Sequence, residues 1–188
     1  MGSPATSIGV EELWHIGAKN ILRLGTCLPI QSRIGPGDLI IATGAVRDEH
    51  TSEEYISKEY PAVADYRLVR ALSDACRNLK YPYHTGIVRT HDAYYLEAPG
   101  SSGREARVHP WIDLGILAVD LETSVVFVVG SMSGFRAGAL LLAQEPAGEG
   151  TALLTADRSE KLLLAGIEAA RLLQERGLAQ DTHPPKKG

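Results

Sequence analysis

The segment Arg23-Leu24-Gly25-Thr26 combines residue types that suit the binding of an oxyanion. Arginine supplies a fixed set of N–H donors, glycine lets a ligand approach the backbone closely, and threonine adds a hydroxyl group. Because an apolar stretch precedes it, we place this segment at the end of a strand. The segment is suited to a phosphate-sized anion, and the alternative is an ordinary glycine turn with Arg23 in solvent.

Two acidic residues stand at a predicted junction between a strand and a helix, in Asp120-Leu121-Glu122. Acidic side chains at a helix start interact favourably with the helix dipole. The apolar neighbours Val119 and Leu121 indicate that the junction is buried, and a buried carboxylate needs partners. Sugar hydroxyls would be suitable partners. The alternative is that Asp120 caps the helix and Glu122 is solvated.

Two further segments that follow predicted strands carry candidate site residues. Asp92-Ala93-Tyr94-Tyr95 presents an aromatic face that could stack on a planar base, although adjacent tyrosines also occur in cores and at their rims. Gln144-Glu145-Pro146 offers Glu145 as a general acid, with an ordinary loop residue as the alternative.

The elements that must position these residues alternate between helix and strand. Apolar periodicity predicts helices over 7–17, 61–79, 122–132 and 158–177, and strands over 20–25, 38–46, 84–90, 115–121 and 137–143. Thr6 or Ser7 is the expected cap of the first helix, Pro61 is the expected start of the second, and the Gly-rich stretch 97–107 is predicted as a loop.

Alternation of this kind predicts an α/β fold with a mixed, largely parallel central sheet flanked by helices. In such sheets, sites form at the carboxyl ends of the strands, where the four segments lie. We expect a single domain over residues 1–178 and a disordered tail over 179–188.

Composition narrows the classes of partner and cofactor. The 188 residues contain 19 Lys and Arg against 23 Asp and Glu, a net charge of −4, without a basic cluster, so neither nucleic acid nor an anionic membrane is an expected partner. The longest apolar runs are far shorter than the ~20 residues of a membrane helix. Cys27 and Cys76 lack the spacing of a zinc or redox pair, so we expect no metal and a cytoplasmic location.

Five segments occur in the order and spacing typical of the nucleoside phosphorylase family, which includes uridine phosphorylase and the bacterial-type purine nucleoside phosphorylases. The chain resembles this family from Met1 to about Leu173. The segments are Gly2-Ser3-Pro4-Ala5-Thr6-Ser7-Ile8, Arg23-Leu24-Gly25-Thr26, Pro61-Ala62-Val63-Ala64-Asp65, Asp92-Ala93-Tyr94-Tyr95 and Val119-Asp120-Leu121-Glu122-Thr123. The resemblance implies a nucleoside phosphorylase/hydrolase-like fold and a homo-oligomer. It also implies phosphorolysis of a nucleoside to free base and ribose 1-phosphate, with phosphate as co-substrate and no cofactor.

The resemblance also implies roles for individual residues. Arg23 and Thr26 would hold phosphate, with Thr26 also near the ribose, and Tyr94 would stack on the base. Leu121 would pack under the ribose in place of the family's usual methionine, and Glu122 would bind the ribose hydroxyls. These roles fit the chemistry, because phosphorolysis passes through an oxocarbenium-like ribose that a nearby carboxylate and an aligned phosphate stabilise.

The chain departs from the family pattern at its beginning. Family members have several strands before the point where this sequence starts, and these strands carry a Gly-rich loop, an Arg for phosphate, and an Arg and a His given to a neighbouring subunit. We therefore expect an N-terminally truncated chain with an incomplete phosphate site and impaired activity. A hydrolytic nucleosidase and a non-catalytic nucleoside-binding homologue are the alternative functions.

The base is left open between a purine and uracil. Ungapped alignment places Glu145 at the acid with which the purine branch protonates the base, and residues 96–107 lack the Gln that the uridine branch uses for uracil. Against this, residues 61–65 and 134–138 are closer to the uridine branch. The sequence therefore favours a purine nucleoside by a small margin.

Overall fold

The computed structural model describes residues 2–97, 100–144 and 156–177, so Glu145 and the tail expected at 179–188 lie outside the described residues. Helices and strands alternate along the described part, in agreement with the predicted α/β class. In chain order they are α1 Ser3–His15, β1 Asn20–Pro29, β2 Leu39–Asp48, α2 Thr51–Tyr55, β3 Ala62–Val63, α3 Tyr66–Asn78, β4 Tyr83–His91, α4 Tyr94–Glu97, α5 Arg104–Asp113, β5 Ala118–Asp120, α6 Thr123–Ser133, β6 Arg136–Ala143 and α7 Ala156–Glu175.

The strands form a mixed sheet in the order β3-β2-β4-β5-β1-β6, and β2 pairs with β6 as well. This additional pairing closes five of the strands into a ring, with β3 attached to β2. The longest ladders, β1 with β6 and β2 with β4, are parallel. The pairings of β2 with β6 and of β1 with β5 are antiparallel. The mixed, largely parallel sheet is thus as predicted, but its closure, which protects the strand edges, was not.

Helices cover the sheet in two groups. On one side α6 packs its buried Val125–Val129 segment against β2, β4 and β6. On the other side α3 and α7 pack together over β1, β2 and β6, through a cluster that includes Leu68, Leu72 and Leu162. No helix of the described residues is both long and apolar enough to cross a membrane.

The first two predicted helix starts are wrong. Helix α1 begins at Ser3 with Gly2 as its cap residue, and Pro4 stands in its first turn, where a proline fits without loss of a helical hydrogen bond. Helix α3 begins at Tyr66, because the Asp65 side chain accepts a hydrogen bond from the Arg67 N–H at 2.8 Å. The residues after Pro61 instead form β3, which pairs with β2.

The predicted loop over 97–107 is also only partly correct. Helix α5 starts at Arg104, inside this range, directly after Gly103 in the left-handed region with φ of 70°. The glycine-rich composition concealed this start, because the cap is a backbone conformation and not a Ser, Thr, Asp or Asn side chain.

The contact between α6 and β6 depends on Gly130. A Cβ atom at this position would lie 2.8 Å from the Cβ of Ala137 and 3.3 Å from the carbonyl oxygen of Phe135. Neither neighbouring atom belongs to a flexible side chain, so a larger residue would push α6 away from the sheet.

We predict that Gly130→Ala lowers the free energy of unfolding by about 1–3 kcal/mol, because the added methyl group overpacks this contact. Gly9→Ala is the matched control, because Gly9 lies in α1 and a methyl group added there would have no neighbouring atom within 4 Å. This control should raise stability by up to about 1 kcal/mol through helix propensity. Denaturant unfolding measures both, and a Gly130→Ala protein as stable as the unmodified chain would contradict the prediction.

Candidate active site

Arg23, Asp120 and Glu122 form one buried charge cluster. The Arg23 guanidinium ion-pairs with Glu122 through Nη2, and the same atom lies 3.2 Å from Asp120 Oδ2. The side chains are only 11% exposed for Arg23, 13% for Glu122 and 0% for Asp120. The structure therefore brings together two of the predicted segments, and the alternatives with Arg23 or Glu122 in solvent are wrong.

The position of Arg23 within the sheet differs from the prediction. Strand β1 continues to Pro29, so Arg23 lies inside the strand, opposite Ala139 of β6, and not at its end. Gly25 makes room for the arginine side chain, because a Cβ atom there would lie 2.8 Å from Arg23 Nη1. Since only glycine leaves this space, Gly25 sets the path of the guanidinium toward the two carboxylates.

Asp120, the last residue of β5, obtains its partners from the protein. Its Oδ1 accepts a hydrogen bond from Thr90 Oγ1 at 2.8 Å, and its Oδ2 accepts one from the Thr123 N–H at 3.0 Å. The Thr123 hydroxyl also donates to Oδ2. Glu122 is the cap residue of α6, but Asp120 satisfies the N–H of Thr123, the first residue of the helix. The capping alternative is therefore right about the function of Asp120 and two residues off in position. This carboxylate does not need sugar hydroxyls to satisfy it.

Glu122 is oriented quite differently, although it lies only two residues further along the chain. Its carboxylate makes no capping hydrogen bond to α6, and accepts hydrogen bonds from the Gly2 N–H at 3.0 Å and from Arg23 Nη2. Burial alone would raise the pKa of Glu122, but the Arg23 guanidinium and the Gly2 N–H together hold this pKa below its ordinary value. Glu122 is therefore a charged carboxylate in a mostly buried position.

The start of α1 is tied to the same junction. The Ser3 hydroxyl donates a hydrogen bond to the carbonyl oxygen of Leu121 at 2.8 Å, next to the contact between Gly2 and Glu122. Leu121 is half-buried. Its predicted position under the ribose stays a prediction.

Tyr94 stands at the start of α4 and packs edge to face against Tyr95, with ring centroids 5.4 Å apart. Among the described residues its buried hydroxyl oxygen has no hydrogen-bond partner. Burial raises the pKa of Tyr94, and the nearby Tyr95 and Cys27 raise it further. Burial also raises the pKa of the Cys27 thiol, on which the charges of Asp120 and Arg23 act in opposite directions.

Two predicted site residues remain untested by geometry. Thr26 lies in β1 opposite Leu142 and is half-buried, and its contact with phosphate stays a prediction. Glu145 lies outside the described residues. The described residues contain no cluster of three or more His, Cys, Asp or Glu side chains able to hold a metal.

Sequence reasoning missed the polar residues that support the cluster. Thr90 lies near the end of β4, and Ser124 lies in the first turn of α6, where its N–H donates to Thr90 Oγ1 at 2.9 Å. Glu49 directly follows β2 and is fully buried. The rule that sites form at the carboxyl ends of strands would have pointed to Glu49, but the charged context Arg47-Asp48-Glu49 is typical of a solvated turn.

Comparisons with known proteins identify the family of the chain. A family model described as the phosphorylase superfamily matches residues 1–175. A uridine phosphorylase of Treponema pallidum is 35% identical over 181 residues, which cover 92% of this chain and 70% of that protein. A guanosine phosphorylase of Halorubrum lacusprofundi is 38% identical over 140 residues, which cover 74% of this chain and 56% of that protein.

A solved structure gives the same result. The crystal structure of uridine phosphorylase from Vibrio fischeri, complexed with 6-hydroxy-1-naphthoic acid, superimposes with a TM-score of 0.72 at 34% identity. The match covers 95% of this chain and 70% of that one. The resemblance carried by the five segments is therefore confirmed, and the chain belongs to the phosphorylase superfamily.

Proposed function

We propose that this protein is a nucleoside phosphorylase, a pentosyltransferase that moves ribose from a base to phosphate and yields free base and ribose 1-phosphate. The observation that carries the proposal is the buried cluster in which Arg23 and Glu122 meet. It places a cation suited to phosphate beside a carboxylate suited to ribose hydroxyls. The relatives named as uridine and guanosine phosphorylases support phosphorolysis over hydrolysis or a non-catalytic role.

Glu122 and Arg23 each have a separate role in the proposed reaction. Glu122 accepts hydrogen bonds from the ribose hydroxyls and stabilises the positive charge that develops as the bond from the anomeric carbon to the base nitrogen breaks. Arg23 holds the phosphate, whose oxygen forms the new bond to that carbon. Arg23 Nη1 suits this role, because it is buried without a hydrogen-bond partner among the described residues, while Nη2 contacts Glu122.

The remaining substrate contacts follow the predicted roles. Thr26 would add a hydroxyl to the phosphate and ribose, Leu121 would pack under the ribose, and Tyr94 would stack on the base, with its buried hydroxyl close by. The protein is proposed to need no cofactor, since phosphate is a co-substrate. The identity of the base depends on Glu145, and both guanosine and uridine are candidates because relatives carry both names.

The proposal extends to assembly and location. A homo-oligomer is supported by large apolar side chains that the described part of the chain leaves in solvent, among them Ile16 at 80% and Leu114 at 72% exposed. A cytoplasmic location is supported by Cys27 and Cys76, which are both free and buried thiols.

One test of the proposed function concerns the reaction and the base. Uridine, guanosine, inosine and adenosine are each incubated with and without phosphate, and free base and ribose 1-phosphate are measured. We expect release that requires phosphate and is unaffected by a metal chelator. We also expect purine cleavage that falls in Glu145→Ala, because this residue would protonate the leaving base.

Each other outcome contradicts part of the proposal. Equal base release without phosphate would indicate hydrolysis, and nucleoside binding without release would indicate a non-catalytic protein. Strong cleavage of uridine alone, unchanged in Glu145→Ala, would show that the prediction of a purine substrate is wrong.

A further prediction concerns Glu122. We expect Glu122→Gln to lower kcat/KM at least about 100-fold, because a neutral amide stabilises the developing positive charge of the ribose far less than a carboxylate does. Glu12→Gln, at an exposed position of α1, is the matched control and should be neutral. An unchanged kcat/KM in Glu122→Gln on every accepted nucleoside would remove this residue from the site.

A further inference from the structure

Glu49 is a fully buried carboxylate that the proposed reaction does not use. It is 0% exposed, and no Lys, Arg or His of the described residues forms an ion pair with it. Its Oε2 accepts a hydrogen bond from the Ser52 N–H at 3.0 Å, and its Oε1 accepts bonds from the hydroxyls of Ser52 and of Ser124, the latter at 2.8 Å. Because burial of a carboxylate is costly, these three hydrogen bonds must hold it in place.

Ser52, one partner of Glu49, lies in a segment after β2 that Arg47 holds in place. Arg47 is buried, and its Nε donates to Ser52 Oγ at 2.9 Å. Its Nη2 donates to the carbonyl oxygens of Ser52 and Ile56, each at 2.8 Å, and its Nη1 donates to that of Ser57 at 2.6 Å. A single guanidinium thus fixes the chain that follows β2, and with it the hydroxyl and N–H of Ser52 that hold Glu49.

Ser124, the second partner of Glu49, lies in the first turn of α6. Ser124, which donates to Glu49, also donates its N–H to Thr90 Oγ1 at 2.9 Å, and Thr90 donates to Asp120 Oδ1 at 2.8 Å. The first turn of α6 is therefore held from β2 through Glu49 and from β4 through Thr90. Glu122 lies two residues before Ser124, directly at the entry to this turn.

We propose that Glu49 is a positioning residue for the reaction, which through Ser124 fixes the first turn of α6 and thereby aims the Glu122 carboxylate at the ribose. The inference rests on the proposed function of Glu122. A carboxylate beside the first turn of a helix also interacts favourably with the helix dipole, so the charge of Glu49 matters as well as its shape.

A double-mutant cycle tests the proposal in the full chain. Ser124→Ala removes the hydrogen bond to Glu49 without replacing Glu49 or Glu122. We expect about a tenfold loss of kcat/KM for the nucleoside, mostly as a higher nucleoside KM. The KM for phosphate should not change. In a Glu122→Gln background the same substitution should have little further effect, because its route of action is already removed.

Ser73→Ala in α3 is the matched control. It deletes a hydroxyl that donates to the Val69 carbonyl oxygen at 2.9 Å, away from the cluster, and should leave kcat/KM unchanged. An equal loss from Ser124→Ala in both the unmodified and the Glu122→Gln backgrounds would overturn the proposal. So would an unchanged nucleoside KM in Ser124→Ala.

Amide hydrogen exchange tests the positioning role without any turnover. In Glu49→Gln, whose amide group cannot accept from the Ser52 N–H and both hydroxyls together, we expect faster exchange at Thr123 and Ser124 and unchanged exchange in α3. Unchanged exchange at Thr123 and Ser124 would overturn the proposal. If the unmodified protein cleaves no nucleoside, the proposed function fails, and this exchange result alone decides whether Glu49 holds the turn.

Discussion

The ion pair between Arg23 and Glu122 is the interaction on which the rest of the site depends. Removing a guanidinium and two carboxylates from water carries a desolvation penalty of several kcal/mol per ion. Ion pairs and hydrogen bonds from the surrounding structure must compensate for this penalty. Four elements meet at this cluster: β1 supplies Arg23, the junction of β5 with α6 supplies Asp120 and Glu122, and α1 supplies the Gly2 N–H. The antiparallel pairing of β1 with β5 brings these two strands together.

The two carboxylates of this cluster differ in what a ligand can reach. Asp120 is held by Thr90 and Thr123, has no exposed side-chain surface, and satisfies the first N–H of α6. Glu122 is held by Arg23 and Gly2, and it keeps some exposure. Environment alone thus separates a structural acid from the proposed substrate-binding acid within three residues, which is a recurring way for proteins to assign different tasks to the same chemical group.

Much of this could be predicted from the sequence. The strand-to-helix junction at Asp120-Leu121-Glu122 followed from apolar neighbours and from carboxylates that need partners, and alternation gave the α/β class. Local patterns could not give the closure of the sheet, because the pairing of β2 with β6 is a long-range contact. Local patterns also could not predict that Gly25 makes room for the side chain of Arg23, since a glycine after an arginine is equally compatible with close approach of a ligand. Glu49 was missed because one partner, Ser124, comes from a distant part of the chain, and the other, Ser52, is an ordinary polar residue of a short charged segment.

The most direct test of this account is an NMR titration of the Glu122 side-chain carboxyl in the unmodified chain and in Arg23→Gln. The account predicts a pKa of Glu122 below its ordinary value in the unmodified chain, because the Arg23 guanidinium and the Gly2 N–H together favour the charged form more strongly than burial opposes it. In Arg23→Gln the pKa should rise, because the largest interaction that favours the charged carboxylate is then removed while burial still opposes it. A pKa of Glu122 that is the same in both proteins would contradict the claim that this ion pair organises the site.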